Sequence, residues 1–150
     1  MARHSILVVN GPNLGHIGQR QPEIYGTDTM QEVPAMVEAL AGKDVVTLEF
    51  FQANGEGEII DRLERAREEG VSGIVINAGA YTHTSLALAD CLAWIGIPAV
   101  EVHISNIWAR TDEPLRQQSL MGARCVGVIA GFGVVGYALA VRALLERLDS

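Results

Sequence analysis

The 150 residues are 49% hydrophobic and 19% charged, a balance that excludes a disordered or fibrous chain and predicts one domain, 1–150, with an apolar core. A formal charge of -7 argues against nucleic acid or an anionic membrane as the main partner. The opening residues run directly into the apolar stretch Ile6 to Val9, too short for a signal-peptide core or a membrane span, so a cytoplasmic location is expected.

In chain order, Ile6 to Asn10 reads as a buried strand. Gly11 to Gly26 follows, polar and glycine-rich with no helical or strand period, and a connection of that length predicts a binding loop or lid. Thr29-Met-Gln-Glu32 has the spacing of a capping box, and Val33, Met36, Val37 and Leu40 keep helical spacing behind it, with Pro34 tolerated in the opening turn. A turn holding Lys43 leads to a strand, Val45 to Phe51. The spacing then predicts a helix over Glu56 to Glu69, a strand over Gly73 to Asn77, a helix over Thr84 to Ile95, strands over Ala99 to His103 and Val126 to Ala130, and a closing helix over Val134 to Leu148. Short apolar strands separated by helices imply a flavodoxin-like, doubly wound, five-stranded parallel sheet in the order 2-1-3-4-5.

Such sheets bind ligands beyond the carboxyl ends of their strands, near the point where strand order reverses. That rim receives Asn10-Gly-Pro-Asn13 after the first strand, Asn77-Ala-Gly79 after the third, and Glu101-Val-His103-Ile-Ser-Asn106 at the end of the fourth. Glu101 and His103, two apart on a strand, share a face. An imidazole is a suitable proton donor near neutral pH. Ten of the eleven basic residues are arginine, and Lys43 sits in a turn where an amine stays exposed and protonated, a poor start for imine chemistry. No dense metal-ligand motif occurs, and Cys91 and Cys125 fall in apolar stretches as expected of buried free thiols. Gly131-Phe-Gly-Val-Val-Gly136 fits a dinucleotide fingerprint formally, but it follows the last strand and is better read as close helix-sheet packing.

Together, Asn10-Gly-Pro-Asn-Leu14, Arg20-Gln-Pro-Glu-Ile-Tyr-Gly26, Asn77-Ala-Gly79, Thr82-His-Thr-Ser85 and Glu101-Val-His-Ile-Ser-Asn106 resemble the type II dehydroquinases, and the likeness extends over essentially the whole chain. The resemblance implies a lyase that dehydrates 3-dehydroquinate to 3-dehydroshikimate through an enolate, in aromatic biosynthesis or quinate breakdown, without cofactor or metal. It implies Tyr25 as the base and Arg20 as the cation that lowers the phenol pKa from about 10. Asn13 would hold a water against the enolate oxygen, His103 would be the general acid, and Glu101 would orient it. Asn77, His83 and Arg116 would bind the substrate's carboxylate and hydroxyls, with Ile104 and Ser105 as a carboxylate-binding pair. Asp90 would reach the site of a neighbouring subunit, in a dodecamer built from trimers. In departure from the family, whose two arginines here are typically four apart, Arg110 and Arg116 are six apart, which predicts a two-residue insertion within Thr111 to Leu115. Two other readings stay open at this level: a dehydroquinate-binding or regulatory relative that has lost turnover, and a flavodoxin-like phosphate or flavin binder.

Overall fold

A computed structural model describes residues 2–19, 23 and 29–150. Five parallel strands, β1 (His4–Asn10), β2 (Val46–Gln52), β3 (Gly73–Asn77), β4 (Ala99–His103) and β5 (Gly127–Ala130), form one sheet in the order β2-β1-β3-β4-β5. Among the described residues the longer helices are α1 (Val33–Ala41), α2 (Glu56–Glu69), α3 (Leu86–Ile95) and α4 (Val135–Leu148). Strand periodicity sorts the core. Along β1, Leu7 and Val9 join Ile74 and Ile76 under Ile59, Leu63 and Leu92 of α2 and α3. Ile6 and Val8 face the opposite way, with Val75 and Val102, under Val37, Val141 and Leu144 of α1 and α4. A strand covered on both faces has no polar side to show, which is why β1 and β3 read as unbroken apolar runs.

The expected sheet order holds, with differences at the ends of elements. β1 starts at His4 because its polar first residues also pair with β2, His4 opposite Val46. The helix expected from Thr84 starts at Leu86. Gly79–His83 is a separate 3-10 turn, and Ser85 has extended backbone while its Oγ accepts the Leu88 N–H at 3.0 Å, making it the N-cap. Thr29 and Glu32 meet as the capping box requires, Thr29 N–H donating to the Glu32 carboxylate at 3.1 Å, but the first turn is 3-10 (Met30–Glu32) before α1 proper. β4 and β5 are joined by three 3-10 turns, Ile107–Ala109, Pro114–Gln117 and Gly122–Arg124, with no α-helix.

At the strand-order reversal two loops touch. Gly11 N–H donates to the Asn77 carbonyl at 2.8 Å, and a Cβ at position 11 would lie 2.4 Å from the Ala78 carbonyl oxygen, so only glycine fits there. Gly136, by contrast, packs α4 near Val102 and Ile129 in ordinary van der Waals contact, the packing role expected of the late glycine pattern. Among the described residues, no helix is long and apolar enough to cross a membrane.

Candidate active site

Pairing across the sheet sets Asn10 opposite Asn77 at the ends of β1 and β3, and His103 two residues beyond the Glu101 that pairs with Ile76. A cavity of about 90 Å³ opens over this rim. From β1's loop come Pro12 and Asn13, from β3 and its turn Asn77 and His83, from β4's end His103, Ile104 and Ser105. The β4–β5 connection closes the remaining side with Arg110 and Arg116. Asn13, Asn77, His83, His103, Ile104, Ser105 and Arg116, all expected at a site, are thus brought together. Arg20 and Tyr25 lie outside the described residues. Asp90 does not line the cavity: it is exposed on α3, whereas His83 belongs to the preceding 3-10 turn.

Glu101 is buried behind His103, and its Oε2 lies 2.5 Å from His103 Nε2. A carboxylate accepts, so Nε2 carries a proton and Nδ1 is left as the nitrogen from which a second proton could leave. Its other oxygen, Oε1, accepts the Ser119 hydroxyl at 2.6 Å. The His83 ring stacks near His103, centroids 6.4 Å apart, and its Nδ1 sits 2.5 Å from the Gln118 carbonyl. Since a carbonyl only accepts, Nδ1 is the donor and the neutral ring keeps its lone pair on Nε2. The neutral state is favoured: burial first, then the charges of His103 and Arg116, hold the His83 pKa below its ordinary value, against the opposing pull of the Gln118 bond and Glu101. The two rings therefore differ in polarity, one backed by a carboxylate and one by a carbonyl.

Asn77 is fixed by a buried hydroxyl. Tyr137 of α4, wholly enclosed, donates to Asn10 Oδ1 at 2.6 Å and so must accept from Asn77 Nδ2 at 2.9 Å, while Asn77 Oδ1 accepts the Gly79 N–H at 3.1 Å. With its oxygen and one amide proton used, Asn77 has a donor left to offer. Burial raises the Tyr137 pKa, keeping the phenol protonated. Asn13 adopts left-handed backbone, φ 68, and its N–H donates to Asn54 Oδ1 at 3.2 Å. Arg110 donates to the Ser105 hydroxyl at 2.9 Å, and Arg116 Nε lies 2.9 Å from a Glu113 carboxylate oxygen. Sequence reasoning missed Tyr137, Asn54 and Ser119 as supports. Tyr137 lies 60 residues from one partner and 127 from the other, separations that no local pattern encodes.

The fold and rim define a flavodoxin-like sheet protein whose switch point gathers two imidazoles and a buried carboxylate beside cationic and amide groups. Residues 4–145 match the family described as Dehydroquinase class II, and the chain belongs to that family. It is 47% identical over 145 residues to the 3-dehydroquinate dehydratase of Polynucleobacter asymbioticus, covering 97% of this chain and 96% of that one. Identity to the catabolic 3-dehydroquinase 1 of Aspergillus terreus is 51% over 137 residues, 91% and 88% of the two chains. The solved type II dehydroquinase of Butyrivibrio crossotus superposes with a TM-score of 0.85 at 40% identity, each chain covered to 98%.

Proposed function

We propose that the chain is a hydro-lyase converting 3-dehydroquinate to 3-dehydroshikimate and water, in a biosynthetic or a catabolic setting. Its relatives bear that activity in their names, and the observation that carries it here is the buried Glu101–His103 pair at the mouth of a cavity lined by Asn77, Ser105 and Arg116. In this reading Tyr25, as a phenolate favoured by the charge of Arg20, removes the proton from the carbon next to the ketone, giving an enolate. His103 Nδ1 then passes a proton to the hydroxyl of the following carbon, the carbon–oxygen bond breaks, water leaves, and the electrons of the enolate form the conjugated double bond. One proton is taken and one given, so the balance closes without a co-reactant.

Asn13 steadies the enolate oxygen through a water, a contribution of about 3 kcal/mol by comparison with other oxyanion sites. The substrate carboxylate is held by Ile104 and Ser105 with the remaining Asn77 donor, and its hydroxyls by His83 and Arg116. Asp90, exposed on α3, serves the site of a neighbouring subunit in a cytoplasmic dodecamer built from trimers; its exposure in the single chain supports that role. The test is a spectrophotometric assay with 3-dehydroquinate, following the near-ultraviolet absorbance of the conjugated product. Wild type develops absorbance and Tyr25→Phe is nearly inactive with substrate affinity retained. A variant keeping a tenth of the wild-type rate would rule out Tyr25 as the base, and tight binding without product would make the chain a binding protein instead.

A further inference from the structure

One short stretch of the β4–β5 connection reaches both imidazoles from behind. Gln118 supplies the carbonyl that accepts from His83 Nδ1, and Ser119 supplies the hydroxyl that donates to Glu101. Ser119 Oγ also accepts two backbone N–H groups, from Met121 at 3.2 Å and Gly122 at 3.0 Å. With its oxygen engaged by two donors, the single hydroxyl proton has Glu101 Oε1 as its partner, and the Met121 and Gly122 dipoles polarise it in that direction. Gly122 backs the contact: a Cβ there would lie 3.5 Å from Ser119 Oγ and 3.6 Å from Glu101 Oε1. The carboxylate thus has one oxygen tied to the connection and the other turned to His103 Nε2.

We infer that Ser119 is a positioning residue for the reaction, holding the Glu101 carboxylate against His103 Nε2 so that the imidazole stays correctly turned. It acts through Glu101 and does not line the cavity. The inference rests on the reading of His103 as the acid. Other titratable groups face the pair. His83 stacks over His103 from the Gly79–His83 turn, Arg116 acts on His83 from the connection, and the Cys125 thiol lies near enough to Glu101 that burial and the carboxylate's charge push it up to about 12. His83 is held below its ordinary value and the Cys125 thiol is raised, so neither gives up a proton just above neutrality, and the Arg116 guanidinium stays charged throughout. A shift in the alkaline limb on altering Ser119 therefore reports on the Glu101–His103 pair.

The experiment compares Ser119→Ala with Ser119→Thr, which keeps a hydroxyl. Ser119→Ala lowers kcat about tenfold with KM within about twofold, and its kcat falls off at lower pH than wild type, because an imidazolium with a loosened carboxylate partner gives up its proton sooner. Ser119→Thr restores both. In parallel, the His103 ring is titrated by NMR in the full chain, a readout that needs no turnover. Its midpoint falls in Ser119→Ala and returns in Ser119→Thr. Should Ser119→Ala fail to fold, Ser119→Cys, with a weaker donor of similar size, shows the same direction of shift. An unchanged His103 midpoint, or a loss confined to KM, overturns the inference. A wild-type protein that does not dehydrate 3-dehydroquinate overturns the proposed function, while the titration still decides whether Ser119 holds the pair.

Discussion

The two sides of the cavity are built in different ways. The sheet side, from Asn10, Asn77, Glu101 and His103, is buried and cross-linked: three adjacent strands and the Tyr137 hydroxyl leave each polar group with a partner of fixed geometry. The side formed by the β4–β5 connection is a run of 3-10 turns in which Arg110 and Arg116 are half-exposed and Thr111 to Leu115 exposed. On the proposed mechanism, the pair that must hold a proton at a defined atom lies on the side where burial makes misplacement costly. On the same mechanism, the two arginines that help to attract and seat the substrate lie where solvent can still reach them. Substitutions should divide accordingly, with losses in turnover or stability on the sheet side and losses in affinity on the other.

The largest effect belongs to Glu101→Gln, which keeps the shape of the side chain but puts a neutral amide against His103 Nε2. On the proposed mechanism kcat falls about a hundredfold, within the usual range for general acid catalysis, with little change in KM. A loss below threefold would mean that the buried pair is structural and the acid lies elsewhere.

Next is Tyr137→Phe, which deletes one buried hydroxyl and leaves Asn10 Oδ1 and Asn77 Nδ2 without it. The expected cost is about 2 kcal/mol of stability, or roughly 4–8 °C in Tm for a chain of this size. Freed of its tether, Asn77 also turns away from the donor orientation, so KM rises as well. A wild-type Tm would show that water replaces the hydroxyl, and the sheet side would then be less rigid than its hydrogen bonds indicate.

On the connection, Arg116→Ala raises KM about tenfold, the scale of one charge-assisted hydrogen bond at about 1.4 kcal/mol, and lowers kcat less. It has a second signature. Arg116 is one of the positive charges that keep the His83 pKa below its ordinary value, after burial and His103, so removing it moves the His83 midpoint upward in an NMR titration. A change in kcat alone would place Arg116 with the sheet side and erase the division.

Legibility in the sequence follows the same division. β1, β3 and β4 could be read because strands covered on both faces are short apolar runs, and the polar residues at their carboxyl ends mark the rim. α2 could be read to its last residue because Glu56 and Glu58 open it and Gly70, at φ 72, closes it. The start of α3 was misread because Thr84 looks as capable a first residue as Ser85, and only the fold decides which side chain caps. Tyr137, Asn54 and Ser119 were illegible as supports, since each acts through a partner at least 18 residues away that no periodicity connects. Arg20 and Tyr25 rest on the family resemblance alone.

The smallest expected effect concerns the two surplus residues of the connection. Arg110 and Arg116 both line the cavity despite their six-residue spacing, so the extra length does not carry either guanidinium away. The Glu113 N–H donates to the Arg110 carbonyl at 3.1 Å, which closes a turn with the exposed Thr111 and Asp112 at its tip. Beyond it, the Arg116 N–H donates to the Glu113 carbonyl at 2.9 Å and the Glu113 carboxylate pairs with Arg116 Nε, so Arg116 is oriented by its own 3-10 turn rather than by the tip. Shortening an exposed turn whose ends already meet costs little, because closure entropy changes slowly with loop length. Deleting Thr111 and Asp112 together should therefore leave kcat/KM within about threefold of wild type, under about 1 kcal/mol of transition-state stabilisation. The deletion sharpens the comparison in one respect: the tip is dispensable while Glu113 is not, so Glu113→Ala should raise KM more than the deletion does. A deletion that costs more than Arg116→Ala would show that the connection seats its arginines through the tip after all, and that its two halves cannot be separated.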